Sequence, residues 1–206
     1  MTEFITAKQR TRISRAITRA EKKTSGEIVA VVAMASDDYI YIPLLWAALV
    51  ALAVPLVMFW LTPWPPAHVY ALQIAVFAAL ALCVQWWPLR VALVPRAVKR
   101  ARAHRHAMEQ FLAQNLPTTK GRTGVLLFVS AAEHFAEVIA DEAIYAKVPP
   151  GTWDDIVSAL TGHIARGEPA EGFIEAIAMC ADVLAEHFPP GSGNANELPN
   201  HLIVLE

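Results

Sequence analysis

One long stretch of the sequence lacks charge. Charged residues make up 17% of the 206 residues, whereas soluble domains typically have roughly 25%. The shortfall is local, because no Asp, Glu, Lys or Arg lies between Asp38 and Arg90. This stretch is too long for a single membrane-spanning helix, which needs about 20 apolar residues. We therefore predict a transmembrane helical hairpin over residues 39–89, with the turn TPWPPAH (Thr62–His68) between its two helices.

Other absences exclude several classes of function. The chain has two cysteines, Cys83 in an apolar run and Cys180 in an amphipathic helix, so a disulfide is not expected. The sequence contains no phosphate-binding loop, no glycine-rich dinucleotide motif and no zinc-ligand spacing. Its formal net charge of −2 gives no support for nucleic-acid binding. The N-terminus lacks the short apolar stretch and cleavage site of a signal peptide.

The distribution of basic residues predicts how the hairpin is oriented. Lys and Arg near membrane spans favour the cytoplasmic side. The basic residues nearest the first span on its N-terminal side are Arg15, Arg19, Lys22 and Lys23, and six lie close after the second span (Arg90, Arg96, Lys99, Arg100, Arg102 and Arg105). The turn has none. We therefore expect a two-span protein of the cytoplasmic (inner) membrane of a bacterial cell, with both termini in the cytoplasm and the turn outside.

The basic run after the second span has two interpretations. The six side chains from Arg90 to Arg105 are typical of a surface that binds anionic lipid. Alternatively, they only set the orientation and solvate a helix, which is the interpretation we favour. The segment 90–101 is treated as a basic juxtamembrane segment in either case.

Residues 1–38 predict a helix followed by a strand. Apolar residues at helical spacing define one face of the helix: Phe4, Ile13, Ala16, Ile17 and Ala20. The following segment EIVAVVAM (Glu27–Met34) is almost continuously apolar, which is typical of a central strand covered on both faces. One helix cannot cover such a strand, so residues 1–38 must be the first part of a larger domain.

Residues 102–188 supply the missing elements. A helix over 106–116 is predicted, with Met108, Phe111, Leu112 and Leu116 on its apolar side. Two strands, GVLLFVS (Gly124–Ser130) and FAEVIAD (Phe135–Asp141), are separated by only four residues, which indicates an antiparallel hairpin.

Two further helices follow these strands. We expect Thr152 to cap the first of them, with Asp154 and Asp155 in its first turn, and Pro169 to begin the second.

The two parts can form one small α/β domain. A crossover joins the first and second strands, so they can pair in parallel. We expect three or four strands with helices packed against them. The tail, residues 189–206, has a loop composition, and its segment HLIVL (His201–Leu205) is a candidate fourth strand. Glu197 and Asn200 are expected to cap or fix the tail.

The order of these elements resembles the TPM domain family. The residues that carry the resemblance are KKTSGEIVAVV, GRTGVLLFVS, EVIADEAI and GEPAEGFIEAI, within residues 1–38 and 102–188. More closely, the chain resembles bacterial membrane members with a helical hairpin inserted after the first strand, in which EHFAEVIAD, HFP and NELPN recur. The resemblance implies an α/β/α sandwich, here split by the hairpin.

The resemblance also implies candidate activities. One plant member of the family is described as an acid phosphatase, and some members bind calcium through acidic residues in the loop before the second strand. The corresponding loop here, LPTTKGRTG (Leu116–Gly124), has no Asp or Glu and carries Lys120 and Arg122. Since Ca²⁺ is held by oxygen ligands, usually with negative charge, this loop does not predict a calcium site.

The residues themselves predict no catalytic cluster. Glu133 and His134 lie about 20 Å from Asp141 and Glu142, at the opposite end of a strand. Ser130 precedes Glu133 and His134, but this position indicates only the end of a strand. Four acids, Asp141, Glu142, Asp154 and Asp155, would form a Ca²⁺ or Mg²⁺ site if the chain brought them together. We favour turn and capping roles for them and expect no cofactor.

The main functional expectation is a non-enzymatic accessory or assembly factor for another membrane protein. The alternative, by analogy with the plant relative, is a metal-dependent phosphatase or other hydrolase. A third possibility is a sensor of metal ions or of anionic lipid. The bilayer itself and a second membrane protein are the expected partners, and nucleic acid is not one.

Overall fold

The computed structural model describes residues 4–190 and 196–205. The chain divides into two compact units, Met1–Ser36 with Arg102–Glu206 and the inserted Asp37–Ala101. Helices and strands follow in the order α1 (Ala7–Glu21), β1 (Glu27–Ala33), α2 (Tyr41–Leu61), α3 (Pro66–Cys83), α4 (Trp87–Ala92), α5 (Arg96–Ala113), β2 (Gly124–Ser130), β3 (Phe135–Ala140), α6 (Glu142–Tyr145), α7 (Pro150–Ala165), α8 (Pro169–His187) and β4 (Leu202–Leu205), with a 3₁₀ turn at Leu116–Thr118.

The first unit is built around a four-stranded sheet. The strand order is β3-β2-β1-β4, so β1 and β2 are central. β1 pairs in parallel with β2, from Glu27 opposite Gly124 to Ala33 opposite Ser130. β2 and β3 are antiparallel, as the four-residue link predicts. All residues of β1 and β2 are buried, which confirms the prediction of strands covered on both faces.

Helices cover both faces of this sheet. Alternate β1 residues, including Ile28 and Val32, pack in one apolar cluster with α1, α7 and α8. The other set, including Val29 and Val31, packs with Phe111 of α5 and with the 3₁₀ turn. The domain is therefore the α/β/α sandwich that the resemblance implies.

α5 differs from its prediction in length and in its buried face. The helix begins at Arg96, and its buried residues are Ala103, Ala107 and Phe111, spaced four residues apart. Met108 and Leu112 are 39% and 61% exposed, so they do not share one side of the helix with the buried Phe111 as predicted. The sheet lies against the narrow stripe formed by Ala103, Ala107 and Phe111. Met108 and Leu112 lie roughly 100° around the helix from this stripe.

α7 begins earlier than predicted. Its first residue is Pro150, so Thr152 lies inside the helix and is not its N-cap. Asp154 and Asp155 consequently fall beyond the first turn, which contains no acidic residue. Proline explains the early start, because its fixed φ suits the first helical position and its missing N–H would be unpaired there anyway.

α1 also begins at a different residue. Thr6 caps the helix in a reciprocal pair with Gln9: the Gln9 amide donates to the Thr6 hydroxyl, and the Thr6 amide donates to the Gln9 side chain at 2.8 Å. Phe4, predicted on the apolar helix face, therefore lies before the helix and packs at the margin of the core. The other four predicted residues of that face are buried (Ile13, Ala16, Ile17 and Ala20).

The end of the chain belongs to the sheet. β4 pairs in parallel with β1, from Ala30 opposite Leu202 to Ala33 opposite Leu205. The backbone amide of Glu197 donates to the Glu27 carboxylate at 3.1 Å, and the Asn200 side-chain amide donates to Glu21. Glu197 and Asn200 thus attach the tail to the domain, as the sequence suggests.

Burial changes the acidity of the carboxyl group that holds Asn200. Burial, with a smaller contribution from the nearby carboxylate of Glu27, raises the pKa of Glu21 to about 8. Hydrogen bonds from the Ile28 amide and from Asn200 oppose this rise. Burial also raises the pKa of Glu27.

We predict that Glu21→Gln reduces the pH dependence of folding stability. In the wild type the folded state keeps a proton on Glu21 that the unfolded chain releases near its ordinary pKa, 4.5. The free energy of unfolding therefore falls as pH rises from about 4.5 to about 8, and this group causes no further change above that. Thermal unfolding of both proteins in detergent from pH 5 to pH 9 tests this. Equal slopes in the two proteins would contradict it.

Candidate functional site

The inserted unit contains two exposed apolar helices. α2 and α3 have 21 and 18 residues and are long and apolar enough to cross a membrane. At 1.5 Å per residue they measure about 30 Å, which matches the hydrocarbon core of a bilayer. Large side chains point outward: Phe59 is 82% exposed, Trp60 85% and Leu82 73%. Contiguous apolar surface of this kind is unfavourable in water and marks a membrane or protein contact.

Small residues allow α2 to pack against α3. Ala47 and Ala51 lie one turn apart on α2, and each is only 3% exposed. On α3, Ala75, Ala78 and Ala79 are exposed. The alanines of α2 are therefore buried within the hairpin, whereas these alanines of α3 are accessible for contact with another helix.

Arg90 fixes the base of the hairpin. Its guanidinium donates to the carbonyl oxygens of Val84, Asp38 and Gln85 at 3.2–3.4 Å, and it lies 5.7 Å from the centre of the Trp87 ring. These contacts join the segment before α2 to the segment after α3. Arg90 is therefore occupied within its own unit.

The other basic residues of the run differ among themselves. Lys99 donates to the carbonyl of Val91 at 3.2 Å. Arg102 is partly buried, whereas Arg96, Arg100 and Arg105 are exposed on α5. Only these three exposed arginines present fully accessible charge to an anionic surface.

The acid at the end of β3 faces an arginine. Asp141 is 5% exposed, and its carboxylate accepts a hydrogen bond from the Glu142 amide at 2.7 Å as the N-cap of α6. The guanidinium of Arg122 lies 3.6 Å from the carboxylates of both Asp141 and Glu142. Arg122 comes from the loop before β2, which has no Asp or Glu. The basic side chain thus supplies the positive charge at this edge of the sheet, and the residues present do not fit a calcium ion there.

The remaining acidic candidates lie apart from this pair. Asp154 and Asp155 are exposed on α7. Within residues 4–190 and 196–205, no three His, Cys, Asp or Glu side chains are grouped so that they could hold a metal ion. The structure therefore brings Asp141 and Glu142 together with Arg122 and does not add Asp154 and Asp155 to them.

The opposite edge of the sheet has a polar cluster that the sequence did not indicate. Ser130, at the end of β2, is fully buried, and its hydroxyl group donates to the Glu133 carboxylate. The hydroxyl of Ser36, which follows β1, lies 2.8 Å from that of Ser130, and the Ser36 amide donates to Glu133 at 3.0 Å. These bonds connect the ends of two parallel strands to the β2–β3 turn. A local signal was available only for the Ser130–Glu133 pair, which lies three residues apart.

A cavity of about 590 Å³ lies beside this cluster. Its lining is mostly apolar, with Ser130, His134 and Thr161 as its polar residues. Because Ser130 is hydrogen-bonded to Ser36 and Glu133, its hydroxyl is not arranged as a nucleophile activated by a histidine. The cluster is best explained as a structural connection.

Two histidines, His104 and His163, lie beside acids. The His104 ring lies 2.9 Å from the Glu137 carboxylate. The two ring nitrogens of His163 lie 3.2 Å from Glu168 and 2.6 Å from Glu175. These pairs are on different elements, so they do not constitute one site.

Comparison with known proteins finds one family match and one similar fold. Residues 87–183 match the TPM domain family. The solved structure of the BA42 protein from the psychrophilic bacterium Bizionia argentinensis is 20% identical and aligns with a TM-score of 0.63, covering 99% of this chain and 97% of that one. At this identity the likeness shows the fold alone. No curated protein matches the chain. The family match agrees with the resemblance drawn from the sequence, and the structural likeness confirms the fold.

We predict that Arg122→Gln destabilises the domain by about 1–2 kcal/mol. The change leaves the buried Asp141 carboxylate without its facing cation, although the 56% exposure of Arg122 limits the effect. Arg12→Gln is the matched control, since Arg12 and its partner Glu171 are both about half exposed. Chemical unfolding of the purified proteins in detergent measures both changes. A loss for Arg122→Gln no larger than that of the control would contradict this role.

Proposed function

We propose that this chain, which carries a TPM domain, is a membrane-anchored accessory or assembly factor that acts without catalysis of its own on another membrane protein. The observation that carries the proposal is the exposed apolar surface of α2 and α3, two helices of spanning length in an otherwise soluble α/β chain. A surface of this kind is stable only in lipid or against another apolar surface. The hairpin therefore provides both the anchor and a contact for a partner.

The basic residues support a cytoplasmic TPM domain. Arg96, Arg100 and Arg105 are exposed after the second helix, and the turn between the helices has no Lys or Arg. By the positive-inside rule this distribution favours both termini in the cytoplasm and the turn outside, in the cytoplasmic membrane.

The polar residues support a role other than catalysis. Asp141 caps a helix and faces Arg122. Ser130 is fully buried and bonded to Ser36 and Glu133. The two strongest candidates for catalysis, Asp141 and Ser130, thus both have structural contacts within the domain, which favours an accessory role over a phosphatase.

The exposed small residues on α3 support contact with another spanning helix. In a bilayer, helices associate through close packing of small residues, since lipid offers no hydrophobic drive for association. Ala75, Ala78 and Ala79 are exposed and occupy successive turns of α3. A partner helix can approach α3 closely along this stripe.

We predict that a cysteine in the turn is labelled from outside. The variant His68→Cys, made with Cys83→Ala, should react with a membrane-impermeant maleimide in intact cells or right-side-out vesicles. The control Arg105→Cys in the same background should react only after the membrane is opened. The reverse pattern would show the opposite orientation, and labelling of both sites in intact cells would contradict a spanning hairpin.

We predict that Ala79→Leu reduces recovery of the partner by more than about tenfold and leaves the protein folded, because the added methyl groups prevent close approach at an exposed position. Cross-linking in cells followed by affinity purification measures the recovery. The matched variant Ala51→Leu, at a buried position, should instead disturb the hairpin itself and lower thermal stability.

Two results would contradict the accessory role. Unchanged partner recovery in Ala79→Leu would exclude the proposed contact surface. Hydrolysis of a generic phosphate ester that needs Mg²⁺ or Ca²⁺ and is lost in Asp141→Asn would show a hydrolase with its active site at the Arg122 edge.

A further inference from the structure

The cavity of about 590 Å³ beside the Ser130 cluster has the lining of a ligand-binding pocket. Seven of its ten lining residues are apolar, and they include residues of β2, β3 and α7. Three of the larger ones, Phe4, Phe135 and Ile164, are only partly buried by the rest of the domain. Ligand pockets typically have volumes of about 300–1,000 Å³ and a mostly apolar lining with a few polar groups. The cavity therefore leaves apolar surface available to a ligand.

One of the three polar side chains that line the cavity is left for a ligand. The hydroxyl of Ser130 is bonded to Ser36 and Glu133, and the hydroxyl of Thr161 donates to the Val157 carbonyl at 2.8 Å. Among the described residues, the ring of His134 has no hydrogen-bond partner. A polar ligand atom in this cavity would consequently meet the imidazole of His134.

The backbone of His134 has an unusual conformation at this position. Its φ is 50°, in the left-handed region that residues other than glycine seldom adopt, and its amide donates to the Ala131 carbonyl at 3.3 Å. The residue is exposed, so its ring lies at the open side of the cavity. A neutral imidazole donates one hydrogen bond and an imidazolium donates two. The ring can thus donate to an acceptor atom of a ligand in either protonation state.

The volume of the cavity limits the size of the ligand. A water molecule occupies about 30 Å³ of liquid, and a methylene group is of similar size, so the cavity holds roughly 20 non-hydrogen atoms. A palmitate molecule is about this large, whereas a phospholipid with two acyl chains is too large to enter whole. The cavity therefore fits one acyl chain.

We propose that this cavity binds a single acyl chain. The hydrocarbon would lie against Phe4, Phe135 and Ile164, and a carboxyl or ester oxygen would accept a hydrogen bond from His134. Removal of the chain and of these side chains from water favours binding, and the hydrogen bond at the open side fixes the orientation of the chain.

The path of the chain gives such a ligand a source. Ser36 is the last residue of the first unit before the insertion, and its hydroxyl lies 2.8 Å from that of Ser130 at the cavity. Four residues separate Ser36 from Tyr41, the first residue of α2. If α2 spans a bilayer, as proposed above, acyl chains are abundant near this end of the sheet. Supply from a bilayer depends on the proposed membrane anchor, whereas the size and lining of the cavity do not.

The test is photo-cross-linking of the full-length protein in phosphatidylcholine vesicles with a palmitate analogue that carries a diazirine in its chain. Mass spectrometry locates the label. We expect labelled residues in β3 and α7 at the cavity, in addition to any label on α2 and α3 from the bilayer. Unlabelled palmitate and a monoacylglycerol compete in separate arms, which distinguishes a free acid from an esterified chain. Competition by either one supports the site.

Two variants and a matched control make the test specific. Ala165→Trp should reduce labelling at the cavity more than about fivefold, because the indole fills the space. Ala113→Trp is the control: both alanines are exposed and end their helices, α7 and α5, but Ala113 does not line the cavity. His134→Gly should weaken competition about fivefold through the loss of one hydrogen bond, and the fold should persist because glycine adopts this φ without strain.

Three outcomes would overturn the proposal: label confined to α2 and α3, labelling at the cavity that neither competitor reduces, or equal labelling of Ala165→Trp and the wild type. If Ala165→Trp does not fold, Thr161→Phe, at another exposed position of the lining, provides the same comparison. Cavity labelling is measured separately from partner recovery in Ala79→Leu. Failure of the acyl-chain site and failure of the accessory role are therefore distinguishable.

Discussion

The parallel pairing of β1 with β2 is the interaction on which the rest of the domain depends. β1 is buried along its whole length and needs a strand on each side and helices on both faces. Both neighbours, β2 and β4, follow the inserted unit in the sequence. The chain must therefore return to β1 after the insertion. A helical hairpin permits this return because its two ends lie close together. Loops tolerate such insertions when the core does not depend on them.

Parallel pairing also decides which polar residues meet. Corresponding ends of parallel strands lie at the same edge of the sheet, so Ser36 after β1 meets Ser130 at the end of β2. At the other edge, Glu27 begins β1, while the antiparallel β3 brings Asp141 back beside the loop of Arg122. One edge is thus closed by hydroxyl groups and Glu133. The other holds two acidic groups, of which one faces an arginine and the other faces a cavity.

The sequence predicted the elements better than their contacts. Apolar runs and four-residue links predicted the central strands and the β2–β3 hairpin, because strand burial and short connections leave direct patterns. The predicted start of α7 was wrong because Thr152 suits an N-cap by its side chain, whereas the helix already begins at Pro150. The predicted buried face of α5 was wrong because the sheet lies against Ala103, Ala107 and Phe111 and not against Met108 and Leu112. Which residues face the sheet depends on how closely the helix approaches it. The spacing of apolar residues in the sequence gives no information on that distance.

The candidate sites were harder to predict for the same reason. The sequence identified Asp141 and Glu142 as acidic candidates and Arg122 as a departure from calcium-binding loops, but it did not show that they face each other. That contact depends on the register in which β2 and β3 pair. The Ser36–Ser130 contact and the Glu21–Asn200 contact join residues 94 and 179 positions apart, and no local pattern connects them.

The position of Glu27 explains why the tail matters to the domain beyond β4. The first residue of a central strand is buried by the pairing of its neighbours, and a carboxylate there is costly unless it is paired. Burial raises the pKa of Glu27, and the backbone amide of Glu197 opposes this rise by donating a hydrogen bond to the carboxylate. The tail therefore stabilises the start of β1 with a hydrogen bond and its later part with a paired strand.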